Sequence, residues 1–245
     1  MRKLRLLLMV ILVPAFFLVS CKKDDDKPEG VEYKQPSAAS RGEVVTIPEG
    51  LQARAELGTD FGATIAVSYM SLANAISSFS SSFAIPGNAV EESKKGSTKV
   101  YHWSGGGYSY WMTYEELADK YTWTYDWEIP GTPRFTYIAA EEQKDAKKGK
   151  WTIYNPESTS DFIWEYNWMI NASNTFIASL IWDEDEGDEE RSSFDVVSNA
   201  DKSGSFKYFD ASVLRADIEW NADGSGTYWI GGDGGGDISG SWTAK

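Results

Sequence analysis

The sequence predicts a mainly β protein, in which an antiparallel meander of about ten strands curls into a barrel or half-barrel around or against one amphipathic helix. Three observations predict it. Aromatic residues, which favour strands, are abundant: the 245 residues include 11 Trp, 13 Tyr and 11 Phe. In several segments they alternate with polar residues, as in half-buried strands. The segments are joined by short links rich in Gly, Asp and Asn, which are typical of hairpins.

One helix is predicted ahead of the strands, from about residue 59 to residue 83. Thr59 or Asp60 can cap its start, and Pro86-Gly87 ends it. A possible short edge strand precedes it at 44–47, and a loop is predicted at 87–96. Apolar residues recur every three or four positions, which predicts one buried face. This stripe consists of Phe61, Ile65, Tyr69, Leu72, Ile76, Phe79 and Phe83.

The clearest strand covers residues 121–128, where every odd position is aromatic and every even position is polar. Segments 162–170 and 176–182 repeat the alternation. The other candidate strands are 99–103, 108–114, 134–139, 150–154, 193–197, 205–210, 216–220, 226–230 and 237–242. Links as short as 221–226 and 233–237 make neighbouring strands antiparallel and adjacent. So many strands curl rather than stay flat. Beyond the alternation we predict no internal repeat.

The first 20 residues have the basic start and apolar run of a secretory signal peptide. The apolar run of about 14 residues is shorter than the roughly 20 that a transmembrane helix needs. It ends in Leu18-Val19-Ser20-Cys21, which resembles the lipobox of bacterial lipoproteins. The resemblance implies cleavage before Cys21 and acylation of this residue, the only cysteine of the chain. Three acyl chains would anchor the protein stably to a membrane.

A charged stretch, Lys22 to Glu29, follows the cysteine and contains no apolar residue. Its lysines and short acidic run resemble the export signal of surface lipoproteins of the Bacteroidota. This implies attachment to the outer membrane, on its cell-surface face, with the periplasmic face as the alternative. We therefore expect a signal peptide at 1–20, a lipidated flexible tether at 21–45, and a single β-rich domain at 46–245.

The architecture expected for that domain resembles the half-barrels of the lipoprotein-carrier proteins, in which a helix lies inside a curved antiparallel sheet. The resemblance is architectural, so it carries over no functional residue.

Charge excludes one class of partner. The loss of Arg2, Lys3 and Arg5 with the signal peptide takes the net charge from −14 to −17. Nucleic acid would be repelled by so acidic a protein. Attachment to anionic lipid would depend on the acyl chains for the same reason.

Candidate ligand contacts come from neighbouring aromatic residues, which must point to opposite faces of their strands. Tyr110 beside Trp111 and Tyr228 beside Trp229 are such pairs, and the ring of each pair that faces outward is a candidate for ligand binding. His102 is the only histidine, and in its aromatic strand we expect it to have a structural role.

The acidic run 183–190 is the most distinctive polar segment. Asp183, Asp185 and Asp188 could bind Ca²⁺ through carboxylate oxygens, although their spacing departs from the known calcium loop. The alternative is a solvated hairpin tip. No other cofactor is expected.

The leading functional hypothesis is a non-enzymatic, lipid-anchored outer-membrane protein that binds a hydrophobic or aromatic-stacking ligand in or on its curved sheet. If rings and helix fill the interior, it is instead a structural or interaction module. A second hypothesis is a surface glycan-binding protein that uses exposed tryptophans. A third, an Asp/Glu hydrolase, requires two carboxylates about 5 to 9 Å apart in a cleft.

Overall fold

A computed structural model of the protein describes residues 31–36, 46–77, 82–145, 147–156, 158–183, 191–232 and 236–244. Within them, 13 antiparallel strands form one sheet whose spatial order follows the chain from β1 to β13. The strands are β1 (Val90–Lys95), β2 (Thr98–Gly105), β3 (Tyr108–Glu116), β4 (Lys120–Glu128), β5 (Phe135–Gln143), β6 (Lys148–Asn155), β7 (Ser158–Ile170), β8 (Phe176–Asp183), β9 (Arg191–Ser198), β10 (Gly204–Asp210), β11 (Val213–Trp220), β12 (Gly226–Ile230) and β13 (Ile238–Trp242).

The predicted mainly β meander is confirmed, in the form of an open, curled sheet. β1 and β13 do not pair with each other among the described residues, so the sheet is not a closed barrel. Its first strand, β1, was not predicted, because 87–96 was expected to be a loop. The reason is its sequence, Val-Glu-Glu-Ser-Lys-Lys, which shows no alternation of apolar and polar residues. Charged side chains are typical of edge strands, since they discourage pairing with other chains.

Alternation along the strands gives the sheet two different faces. The inner face, which the helices cover, carries the core. Six successive cross-strand partners on it are all buried: Trp123, Ala140, Trp151, Tyr166, Leu180 and Phe194. The outer face carries mostly polar residues in the same strands. Its ion pairs include Lys150 with Glu165 and Lys207 with Asp217.

Two helices precede the sheet in the part of the chain that the structure describes. The first, α1 (Glu49–Glu56), was not predicted, and the possible edge strand at 44–47 is wrong where it can be compared, because Thr46 and Ile47 are not in a strand. Only Leu51 of α1 is buried, so the helix lacks the apolar periodicity that would reveal it. The second, α2 (Phe61–Ser77), begins as predicted: the Asp60 carboxylate accepts a hydrogen bond from the Ala63 N–H at 3.0 Å.

The buried face of α2 differs from the predicted stripe. Phe61 is 67% exposed, whereas Ala63, Ala66 and Met70 are fully buried. Tyr69 is half-buried and stacks on Phe206 of β10, with ring centroids 5.5 Å apart. Small residues face the sheet because its large rings already fill the space between the two layers. The side chains of Ile76 and Phe79 lie outside the described residues.

The segment 31–36 also lies against the inner face, although it belongs to the stretch expected to be a tether. The Tyr33 ring makes edge contacts with Tyr101 and Tyr114. The indole of Trp123 donates a hydrogen bond to the Lys34 carbonyl at 2.7 Å. Phe83, beyond α2, is fully buried between Trp123 and Trp151.

The last four strands form an internal repeat that the sequence analysis missed. Residues 199–220 (the first repeat) and 221–242 (the second repeat) both begin Asn-Ala-Asp-x-Ser-Gly and end in Trp. The glycine of each motif pairs across strands with the terminal tryptophan, Gly204 with Trp220 and Gly226 with Trp242. A Cβ atom at either glycine would lie 2.3 Å from the indole ring. Glycine at these positions therefore makes room for the tryptophan.

Each terminal tryptophan also forms a hydrogen bond with the turn that begins its repeat. The Trp220 indole donates a hydrogen bond to the Lys202 carbonyl at 2.9 Å, and the Trp242 indole donates one to the Gly224 carbonyl at 2.7 Å. Lys202 and Gly224 occupy the same turn position, with φ of 72° and 82°.

Among the described residues, no helix has both the length and the apolar character needed to cross a membrane.

Candidate functional site

The four aromatic residues singled out from the sequence occupy different environments. Strand alternation places Tyr110 and Tyr228 on the inner face and Trp111 and Trp229 on the outer face. The structure does not bring them together, since β3 and β12 are nine strands apart.

Tyr110 lies at the centre of a group of seven rings on the inner face, at one end of β2 to β5. We call it the inner aromatic cluster. It consists of Trp103, Tyr108, Tyr110, Tyr125, Trp127, Phe135 and Tyr137. Tyr110 and Tyr125 are nearly parallel, with centroids 5.9 Å apart, and the Trp127 ring stands almost perpendicular to both. Offset and edge-to-face arrangements of this kind are the favoured ring geometries.

A bulge in the sheet helps to form this cluster. The pairing of β4 with β5 shifts between Tyr125 and Asp126, so that Tyr137 is the extra residue of β5. The Tyr137 ring therefore approaches Trp127, with a centroid distance of 4.2 Å. Bulges re-aim side chains and often lie beside functional sites.

The cluster is less covered than the rest of the inner face. The segment 31–36 contacts rings farther along the same strands, Tyr101, Tyr114, Tyr121 and Trp123. Within the cluster, Trp103 is buried, Tyr108 is 41% exposed, and the other five rings are half-buried.

The cluster is also uncharged. Burial raises the pKa of the Tyr125 and Tyr137 hydroxyls above the ordinary value, so both are neutral at physiological pH. The arrangement offers broad aromatic surface with a few hydroxyl groups, which suits a ligand with an extended apolar part such as an acyl chain.

Trp111, by contrast, has no free ring face. His102 stacks on it from β2, with centroids 4.6 Å apart, and the Arg134 guanidinium lies 4.4 Å from the ring centroid on the side of β4. Arg134 is held in turn by Asp126. Both faces of the indole are thus used within the protein. His102 has a structural role here, with its Nδ1 3.1 Å from Glu92.

Tyr228 is also used within the protein, because it docks α2. Its ring is 4% exposed and its hydroxyl donates a hydrogen bond to Asp60, the residue that caps α2. Gly62 of α2 and Gly240 of β13 lie against this side chain. A Cβ at Gly62 would be 2.3 Å from a ring carbon, and a Cβ at Gly240 would be 2.3 Å from the hydroxyl oxygen. Tyr228 is therefore part of the core.

Trp229 is the one outward ring of the four that borders a cleft. It is half-buried, and it faces an open depression of about 470 Å³ on the outer face of β11 to β13. Its cross-strand neighbours are Asp217 and Ser239.

Neither a scan against models of protein families nor a search of curated proteins finds a match to this chain.

The calcium prediction stays a prediction. Asp183 ends β8 opposite Arg191, whereas Asp185 and Asp188 lie outside the described residues. In the part of the chain that the structure describes, no three His, Cys, Asp or Glu side chains are grouped to hold a metal ion. Glu142 is the only buried carboxylate in that part, so the hydrolase hypothesis gains no support from a buried pair.

Sequence reasoning missed that Trp103, Tyr125, Trp127 and Tyr137 belong to a candidate site. The alternation in β4 was visible, but it predicted core residues for the whole length of the strand. The cluster differs from the core because the segment 31–36 does not extend over it. No sequence pattern within the strands indicates where that segment lies.

Proposed function

We propose that this protein is a non-enzymatic, lipid-anchored protein of the bacterial outer membrane that binds a hydrophobic ligand on the inner face of its curved sheet. The observation that carries the ligand proposal is the inner aromatic cluster. It lies on the face that elsewhere forms the core, yet six of its seven rings stay partly exposed.

Incomplete cover has an energetic consequence. Each Å² of apolar surface that a ligand removes from water contributes about 25 cal/mol, and apolar patches of this kind mark interaction sites. Aromatic side chains have few rotatable bonds, so holding them in place costs little conformational entropy. The seven rings already pack on one another, which further reduces the cost of ordering them on binding. An acyl chain or a flat apolar molecule is the ligand class that fits this surface.

Binding should depend on the exposed rings of the cluster. Replacing Trp127 with Ala removes the ring that contacts Tyr110, Tyr125, Phe135 and Tyr137. We expect the affinity for lauric acid to fall about tenfold or more. The binding can be measured by native mass spectrometry and by tryptophan fluorescence of the full chain.

Trp229→Ala is the matched control, because it removes a tryptophan from the opposite face and should leave the affinity for lauric acid unchanged. Tyr108→Ser guards against misfolding of the first variant, since Tyr108 is more exposed than its neighbours. Wild-type affinity in both cluster variants, or no binding of lauric acid to the natural protein, would refute the proposal.

The location of the protein rests on the lipobox-like tetrapeptide and the charged stretch after it. Replacing Cys21 with Ala removes the residue that would be acylated, so we expect the protein to move from the membrane fraction to the soluble fraction. Cell fractionation with immunodetection measures this. Ser20→Ala is a suitable control, because it leaves the cysteine in place. Retention of the Cys21→Ala variant on membranes would rule out the acyl anchor.

A further inference from the structure

The two repeats place different residues at the same positions of the outer face. In the first repeat, Lys207 and Asp217 are cross-strand partners and form an ion pair at 2.8 Å. In the second repeat, the corresponding residues are Trp229 and Ser239, which are again cross-strand partners. The ion pair of the first repeat is thus replaced in the second by a large aromatic ring, Trp229, beside a small hydroxyl group, that of Ser239. The first repeat shows that the scaffold does not need a tryptophan at this position.

Trp229 is half-buried, but it does not belong to the aromatic network of the domain. It makes no ring contact and no cation–π contact with the other described residues. Its indole extends along the strand over Gly231, where a Cβ would lie 2.8 Å from the ring. A glycine there lets the ring lie along the surface rather than stand away from it.

Polar groups surround this ring on a floor of small residues. The cleft of about 470 Å³ is lined by Asp217, Glu219, Thr227, Trp229, Ser239 and Ser241. It is an open depression, so a ligand there would lie on the surface with one side facing solvent. Glu219 is exposed and forms no ion pair with any other described residue. Lys207 occupies one oxygen of Asp217, and the other oxygen, Oδ1, is buried without a hydrogen-bond partner among the described residues.

We propose that this cleft, which we call the Trp229 cleft, binds a sugar ring. The C–H face of a pyranose is apolar and packs on an indole, while its hydroxyl groups lie around the rim of the ring. Carboxylates accept hydrogen bonds from such hydroxyls, and serine and threonine both donate and accept. Hydrogen bonds to charged acceptors are the stronger ones, so the exposed carboxylate of Glu219 would fix the orientation of the sugar.

This site is independent of the inner aromatic cluster. The two lie on opposite faces of the sheet, and β3 and β12 are nine strands apart, or about 43 Å along the sheet at the usual strand spacing. A failure of one proposal therefore leaves the other standing.

The test is a titration of the full chain with glucose, galactose, mannose, cellobiose and maltose. Tryptophan fluorescence and calorimetry measure the binding. We expect at least one of these sugars to bind. The double variant Trp229→Lys with Ser239→Asp installs the residues of the first repeat, so it should keep the fold and weaken sugar binding about tenfold or more. An unchanged melting temperature separates loss of the site from loss of the fold. Trp127→Ala, on the other face, should bind the sugar like the natural protein.

Three outcomes would overturn the proposal. In one, no sugar of the panel binds. In another, the double variant binds as tightly as the natural chain. In the third, tetramethylammonium binds at this site and the neutral sugars do not, which would make the cleft a site for organic cations.

Discussion

The two repeats at the C-terminal end share the residues that form the hairpin but differ in the side chains on its two faces. Both have the same turn, the same glycine and the same terminal tryptophan. In both turns an aspartate, Asp201 or Asp223, accepts hydrogen bonds from the serine two residues later. These bonds lower the pKa of both carboxyl groups. The shared residues are those that form the turn and seat the tryptophan.

The positions that differ show how one hairpin is adapted to new contacts. On the inner face, Ile218 of the first repeat corresponds to Gly240 of the second, and the missing side chain makes room for Tyr228. On the outer face, Trp229 replaces Lys207. The second repeat therefore packs against α2 on the inner face and borders the Trp229 cleft on the outer face.

The largest expected effect comes from reversing the inner adaptation. Gly240→Ile installs the residue of the first repeat in the space that the Tyr228 ring occupies. Displacing this ring overpacks the core and breaks its hydrogen bond to Asp60, so we expect the free energy of unfolding to fall by about 3 kcal/mol. Denaturant unfolding measures it. The control, Ile218→Val at the corresponding position, should cost about 1 kcal/mol. If Gly240→Ile were as stable as the natural protein, Tyr228 could not be the residue that docks α2.

The smallest effect comes from the turns. Lys202 has a φ of 72°, at the position where the second repeat has Gly224. A left-handed conformation is costly for a residue with a Cβ, so Lys202→Gly should raise the free energy of unfolding by about 1 kcal/mol. Gly224→Lys should lower it by a similar amount. Thermal unfolding of the two variants measures both shifts. Shifts of the same sign in both variants would show that the two turns are not equivalent.

The strands were predictable because alternation leaves a direct trace in the sequence. β1 was missed because an edge strand made of charged residues has no such trace. The face of α2 was predicted from its large apolar residues, but the sheet supplies the large rings at this interface and the helix supplies Gly62, Ala63 and Ala66. Packing between the helix and the sheet decides which of them supplies the large side chains at the interface. The periodicity of the helix alone does not reveal this.

The candidate sites were predictable only in part. Neighbouring rings on one strand must face opposite ways, and this rule correctly separated Tyr228 from Trp229. It could not show that Arg134 and His102 cover Trp111, because these contacts come from other strands. The repeat was visible as Asn-Ala-Asp-x-Ser-Gly at 199 and 221, but its meaning depends on the Gly–Trp pairs that the register creates.

The hydrogen bond between Asp60 and Tyr228 has a consequence for how the chain folds. Each strand pairs with the next along the chain, so the sheet can grow one hairpin at a time, and such local pairing favours fast folding. The docking of α2 is different, because its partner lies 168 residues away. The loop-closure entropy of this contact is compensated only when β12 and β13 are in place. The hydrogen bond that fixes the start of α2 therefore forms only after the last hairpin of the domain.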